Sequence, residues 1–253
     1  MKYTYSTKSL TKYELPELPI LTNDGILNSR ASTDNRPNSS LEKVLVKIIN
    51  GGAAGTGFII GDHEIMTAAH VVTNLNVDKP SIIIPKSNPY SNNYVSLTAI
   101  STTFPKDAYD ELDGNDYAII TVKEDLTSYG SVFLGLGVHE SLLVKNNVYA
   151  LGYKDNAQKI SSGKIEEINE TTYKTSAYTY PGTSGGPLYC QYKFGVQGST
   201  DPDEKVQTYK TVIGISSMIW GKELENGEYI CSSSIATRIT PEILQFAYNN
   251  DFL

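Results

Sequence analysis

The sequence predicts an all-β protein, barrel or sandwich, finished at its C-terminal end by one helix. Three observations predict it. From Leu41 onward, short runs rich in Val, Ile, Thr and Tyr are bounded by Gly, Asn, Asp and Pro. No helical pattern of about 10–15 residues intervenes between them. A Gly-rich stretch, EDLTSYGSVFLGLGVHE (124–140), divides the runs into two sets.

Residues 1–38 contain TNDGILNSRASTDNRPNSS, hold no sustained period, and read as an N-terminal extension or pro-segment. A first β unit, 39–127, carries LEKVLVKIIN, GTGFIIG, HEIMTAA, SIIIP, YVSLTAISTTF and DYAIITVK as strands. A linker spans 128–140. A second β unit, 141–253, carries NVYALGYK, KISSGKIEEI, TYKTSAYTY, GPLYCQY, TYKTVIGISSMIW and SSSIATRIT. It ends in a helix, because Thr240 can cap, Pro241 suits a first turn, and Ile243, Leu244, Phe246 and Ala247 make an apolar stripe.

Bulk properties narrow the function. The chain has 253 residues, enough for one large domain or two small ones sharing an interface, and its 40% apolar content can fill a core. Its net charge is −7 with Lys and Arg scattered, which argues against nucleic acid or an anionic membrane as partner. No apolar run reaches the roughly 18 residues that cross a bilayer. The first twenty residues lack the apolar core of a secretory signal, so the sequence leaves export open. Cys190 and Cys231 permit one internal disulfide or two buried thiols, and two cysteines do not decide the compartment.

The chemistry concentrates in Gly182-Thr183-Ser184-Gly185-Gly186-Pro187. A serine between glycines has an exposed hydroxyl on a sharply turning backbone. The N–H groups of Gly182 and Ser184 can then aim at one developing oxyanion. Such a hydroxyl needs a base, and the chain offers only His63, His70 and His139. His63 and His139 sit beside Asp62, Glu64 and Glu140 and read as solvated. His70 ends the apolar run Ile65 to Ala69, which suits a strand end where small neighbours admit a second element. An imidazole base needs a carboxylate behind it. Asp116, at the mouth of the strand Tyr117 to Val122, enters the interior, whereas Asp110, Glu111 and Asp113 read as loop charges.

Residue order selects among folds. GTSGG satisfies a nucleophile-elbow pattern, but no histidine follows Ser184, as that fold requires. An aspartate-first order needs alternating helices, which are missing. The order His, Asp, Ser on a β-rich chain is that of chymotrypsin-like enzymes. A metal is not expected: His63-Glu64 could open H-E-x-x-H, but the last position is Thr67, and neither cysteine has zinc-type spacing. No cofactor is expected.

GTGFIIGDHEIMTAAHVV, NDYAIITV, ALGYK, PGTSGGPLYC and VIGIS resemble the V8-like glutamyl endopeptidases, a group of chymotrypsin-like serine peptidases, over residues 40–248. The resemblance implies two six-stranded β-barrels, the first supplying His70 and Asp116 and the second Ser184. It implies an extracellular, monomeric serine endopeptidase acting on proteins or peptides through an acyl-enzyme; with no signal visible, a cytoplasmic location is the alternative. Glutamate at P1 is read in that family by a hydroxyl five residues before the nucleophile, here Thr179, and a histidine in a GIH motif, here Ser216. The exchange of His for Ser predicts a weakened or altered P1 preference. Ser217 to Ile219 would pair with the substrate backbone. The family's pro-segments suggest cuts at Arg30-Ala31 or Asn28-Ser29. A protease-shaped binding protein without catalysis is the rival reading, and an esterase or acyltransferase a third.

Overall fold

In a computed structural model that describes residues 28–29, 40–50, 53–73, 81–85, 94–105, 108, 114–132, 134–135, 143, 146–154, 157–195, 206–223 and 229–249, the strand-forming runs make two antiparallel sheets. A two-residue strand β1 (Asn28–Ser29) comes first, then a helical turn α1 (Ser40–Lys43). Strands β2 (Leu45–Asn50), β3 (Ala53–Ile59), β4 (Glu64–Thr67), β5 (Ser81–Pro85), β6 (Tyr94–Thr103) and β7 (Ala118–Val122) then close a barrel in the order β2-β3-β4-β7-β6-β5. Closure comes from the pairing of Lys47 with Ile83 and of Ile48 with Ile82. It leaves no open sheet edge. Val46, Ile48, Phe58, Ile65, Ile82, Leu97 and Ile120 are buried in it, each aliphatic side chain worth about 1.5–3 kcal/mol.

The second sheet holds β8 (Val148–Lys154), β9 (Ala157–Gly163), β10 (Ile165–Ile168), β11 (Thr172–Thr175), β12 (Pro187–Gly195), β13 (Val206–Glu223) and β14 (Tyr229–Arg238). Its order is β1-β9-β8-β12-β13-β14-β11-β10. Strands β9 and β10 are separated only by Lys164, yet they stand near opposite ends of that order. The run KISSGKIEEI, expected as one strand, therefore turns a corner and curls the sheet. Gly163 makes the corner possible, since a Cβ there would lie 2.1 Å from the Ala177 amide nitrogen. Ser176 seals it, its amide donating to Lys164 O at 3.0 Å and its Oγ accepting from the Lys164 amide at 2.9 Å.

Three expectations need correction. LEKV opens with the helical turn α1 rather than strand. TYKTSAYTY is strand only over Thr172–Thr175. His70 lies not at a strand end but in a one-turn helix, α2 (Ala69–Thr73), directly after β4. Of the extension, Asn28 and Ser29 pair with Ile160 and Lys159; the Arg30-Ala31 junction lies outside the described residues, as do Asp110, Glu111, Asp113 and His139. In the expected linker, Leu134 bridges to Val212 and the Gly135 amide donates to Val212 O at 2.9 Å, which stitches the crossing to β13.

The C-terminal helix α3 (Pro241–Asn249) forms as its sequence demands. Thr240 Oγ1 accepts from the Ile243 amide at 3.4 Å and Thr240 O from the Leu244 amide at 3.0 Å. Ile243, Leu244 and Ala247 are buried in a core that also takes Tyr153, Tyr189 and Ile215 from the second sheet, while a separate cluster with Val148, Ile165, Leu188 and Ile213 belongs to the second sheet. Phe246 meets Tyr117 edge to face, centroids 5.1 Å apart, a contact worth about 0.5–1.5 kcal/mol beyond area burial. Cys190 is a buried thiol, not half of a disulfide, with Sγ 3.6 Å from Thr211 O; the side chain of Cys231 lies outside the described residues. Among the described residues no helix is long and apolar enough to cross a membrane, and no cluster of His, Cys, Asp or Glu could hold a metal ion.

Candidate active site

Asp116 occupies the tight turn Asn115-Asp116-Tyr117 that feeds β7, and it is fully buried. The turn is pressed against the second sheet at Gly114, whose φ of 75° suits glycine and whose missing Cβ would lie 2.4 Å from Thr171 Cβ. Carboxylate oxygen Oδ1 accepts from the His70 amide at 2.9 Å, and Oδ2 accepts from His70 Nδ1 at 2.7 Å. Oδ2 also accepts a short hydrogen bond from Ser217 Oγ. Burial pushes this carboxyl upward, but the hydrogen bond and charge of His70, the Ser217 hydroxyl and the His70 amide outweigh it and hold it below the ordinary value. An ionised Asp116 makes Nδ1 the protonated ring nitrogen and leaves Nε2 as the accepting one.

His70 reaches this position because α2 lies flat on the barrel. Ala68 and Ala69 are fully buried, and larger side chains would lift the turn away. The imidazole itself keeps 26% of its side-chain surface exposed.

Ser184 stands half-buried on a turn built by its neighbours. Thr183 Oγ1 donates to Tyr180 O at 2.7 Å and accepts from the Tyr180 amide at 2.8 Å, while the Gly186 amide donates to Thr183 O at 3.0 Å. Gly182 and Gly185 adopt φ of 95° and 83°, values that other residues rarely take. The turn docks on the first barrel. Thr56 donates its amide to Ser184 O and its hydroxyl to Gly182 O, both at 2.8 Å. A Cβ on Gly185 would sit 2.1 Å from Thr67 Oγ1 and 2.9 Å from the Ala68 nitrogen, so the serine loop abuts the residues just before His70. With the Gly182 and Ser184 carbonyls turned toward Thr56, their amides have no protein partner among the described residues.

The other expected residues cluster on the same corner of the second sheet. Ser216 exchanges main-chain bonds with the serine loop, accepting from the Gly185 amide at 2.7 Å and donating to Gly186 O at 2.8 Å. Thr179 is buried with Oγ1 2.8 Å from Ser234 Oγ. Beyond the pairing of Ile215 with Pro187, β13 continues with β14 alone, leaving the other edge of Ser217 to Ile219 without a strand partner among the described residues. His63 is exposed, Nδ1 2.9 Å from Glu124 O, and stays apart from the cluster.

Two residues outside the expected set, Thr56 and Ser234, belong to this region, and Ser217 has a contact beyond its expected one. Thr56, inside Gly55-Thr56-Gly57, is fully buried and also accepts from the Tyr153 amide at 2.8 Å. Ser217 was expected only as a backbone edge, yet its hydroxyl reaches Asp116. Ser234 completes the Thr179 contact. Only Thr56 carried a signal, a polar residue between two glycines in a strand.

A buried carboxylate behind an imidazole, a serine on a glycine-bounded turn and two amides without a protein partner among the described residues can together carry out nucleophilic acyl transfer. A family model described as trypsin-like peptidase domain matches residues 55–194, more than half of the chain. The fold is similar to a solved protein described as "Structure of Glu endopeptidase in complex with MPD", with a TM-score of 0.65 at 16% identity, covering 92% of this chain and 99% of that one. At that identity the likeness speaks to the fold, and the family match speaks to the lineage: the chain belongs to the trypsin-like peptidase family.

Proposed function

We propose that the chain is a serine endopeptidase working through an acyl-enzyme. Ser184 attacks the scissile carbonyl and His70 takes its proton at Nε2. The amides of Gly182 and Ser184 hold the oxyanion. His70 returns the proton to the leaving amine, and water then repeats the sequence on the acyl group. Asp116 holds the ring and stabilises its charged form. One observation carries this reading: a fully buried carboxylate that gives both oxygens to His70, through the amide at 2.9 Å and Nδ1 at 2.7 Å. A carboxylate placed only for stability has no need to hold an imidazole by ring and main chain at once. The open edge at Ser217 to Ile219 would receive substrate as an added strand.

The P1 side chain would meet hydroxyls from Thr179, Ser216 and Ser234. Hydroxyls bind a carboxylate less strongly than a protonated imidazole does, which supports a broad or altered preference rather than strict selection of glutamate. Fluorophosphonate labelling of the wild type, absent in Ser184→Ala, tests the enzyme; an unlabelled wild type would favour a binding protein. Peptide against ester turnover separates peptidase from esterase, and a panel differing only at P1 tests the pocket, where a large preference for Glu would contradict the hydroxyl reading.

A further inference from the structure

We infer that Asn50 is a positioning residue for His70, an inference that rests on the catalytic reading of His70 above. Helix α2 has five residues, far too few to hold itself together. Its geometry must come from outside ties. Asp116 supplies those on the side of the imidazole. On the other side stands Asn50, the last residue of β2, whose Nδ2 donates to Val71 O at 2.8 Å. This carbonyl belongs to the residue after His70, and as a late carbonyl of a one-turn helix it has no partner of its own within the helix. The Val71 side chain adds a second contact on the same side: a Cβ on Gly55 would fall 2.5 Å from Val71 Cγ1, so the helix sits directly on the β3 backbone.

Asn50 is 7% exposed, and its Oδ1 is buried with no hydrogen-bond partner among the described residues. Burying an amide with one end unmade is unfavourable. An aliphatic residue of similar size would avoid that cost, so the placement gains something other than burial. What it gains is a fixed Val71 carbonyl. Removing the donor frees α2 to pivot about the Asp116 contact, which displaces Nε2 while leaving the carboxylate, the serine loop and the substrate edge in place.

Asn50 touches no reacting atom, so its test reads His70 rather than activity alone. In the full chain, Asn50→Ala and the uncharged, similarly sized Asn50→Leu each remove the donor. Both are expected to lower kcat about tenfold, as small misplacements of a base do, with KM changed by less than about twofold. The His70 imidazole, identified by the resonance lost in His70→Gln, is expected to titrate at lower pH in both variants than in wild type, because a loosened contact with Asp116 stabilises the imidazolium less. Unchanged kcat and unchanged His70 titration in both variants would overturn the assignment. So would a loss of activity that follows the melting temperature while the titration stays put, since that is support for folding only. If the wild type fails to label at Ser184, the catalytic reading falls, while the His70 titration still decides whether Asn50 positions the ring.

Discussion

The two sides of the seam that meets at Ser184 are finished to different degrees. On the side of the first barrel, His70 and Asp116 are in full contact at rest, and the carboxylate is satisfied by three donors. On the side of the second sheet, the amides of Gly182 and Ser184 and the free backbone edge of Ser217 to Ile219 have no main-chain partner among the described residues. The barrel side holds charge, which is costly to leave unpaired in the interior. The sheet side holds neutral donors and acceptors that water can satisfy until a ligand arrives. On the catalytic reading proposed above, the proton-handling half is preorganised and the substrate-holding half is waiting.

The sharpest way to break this contrast is to delete the hydroxyl proposed as the nucleophile. Ser184→Ala should lower kcat about 10⁶-fold while leaving peptide binding measurable by inhibitor competition. Asp116→Asn attacks the finished half: it keeps the shape, presents the wrong hydrogen-bond pattern to Nδ1, and should cost about 10⁴-fold in kcat. Ser217→Ala removes one donor from that carboxylate and should cost about tenfold, read as a fall in kcat with the acid limb of the pH profile moved upward. The same carboxylate contributes to stability. Its folded value lies below the ordinary aspartate value of about 3.9, so the contribution is complete above that pH and is lost as pH falls through the depressed value. The melting difference between wild type and Asp116→Asn should accordingly shrink in acid, and a constant difference would contradict it. The mildest change is on the waiting half: Ser216→His should shift the P1 preference toward Glu by a few-fold without altering the rate on an activated ester.

Much of the fold was legible because half-buried antiparallel strands announce themselves locally. The runs around Val46, Ile82 and Ile119 fell where the strands are, and Thr240-Pro241 marked the last helix. Asp116 could be separated from Asp110, Glu111 and Asp113 because it alone adjoined an alternating strand. What stayed hidden depends on contacts between distant residues. Nothing periodic tells that Gly163 is pressed on Ala177, or that Ser217 reaches Asp116 from 101 residues away. The one-turn helix at His70 escaped for a related reason. Ala69-His70-Val71-Val72 has no amphipathic pattern of its own, and its shape is imposed by Asp116 and by the barrel beneath it.

Thr56 has a consequence for how such a molecule comes into being. Its amide and hydroxyl both reach across to the turn that bears Ser184, and the Tyr153 amide reaches back to it. A nascent polypeptide with only its front portion folded leaves those groups unmet, and one with only its rear portion folded lacks the strut that aims the serine. On the function proposed above, activity would be acquired only once the two portions have docked.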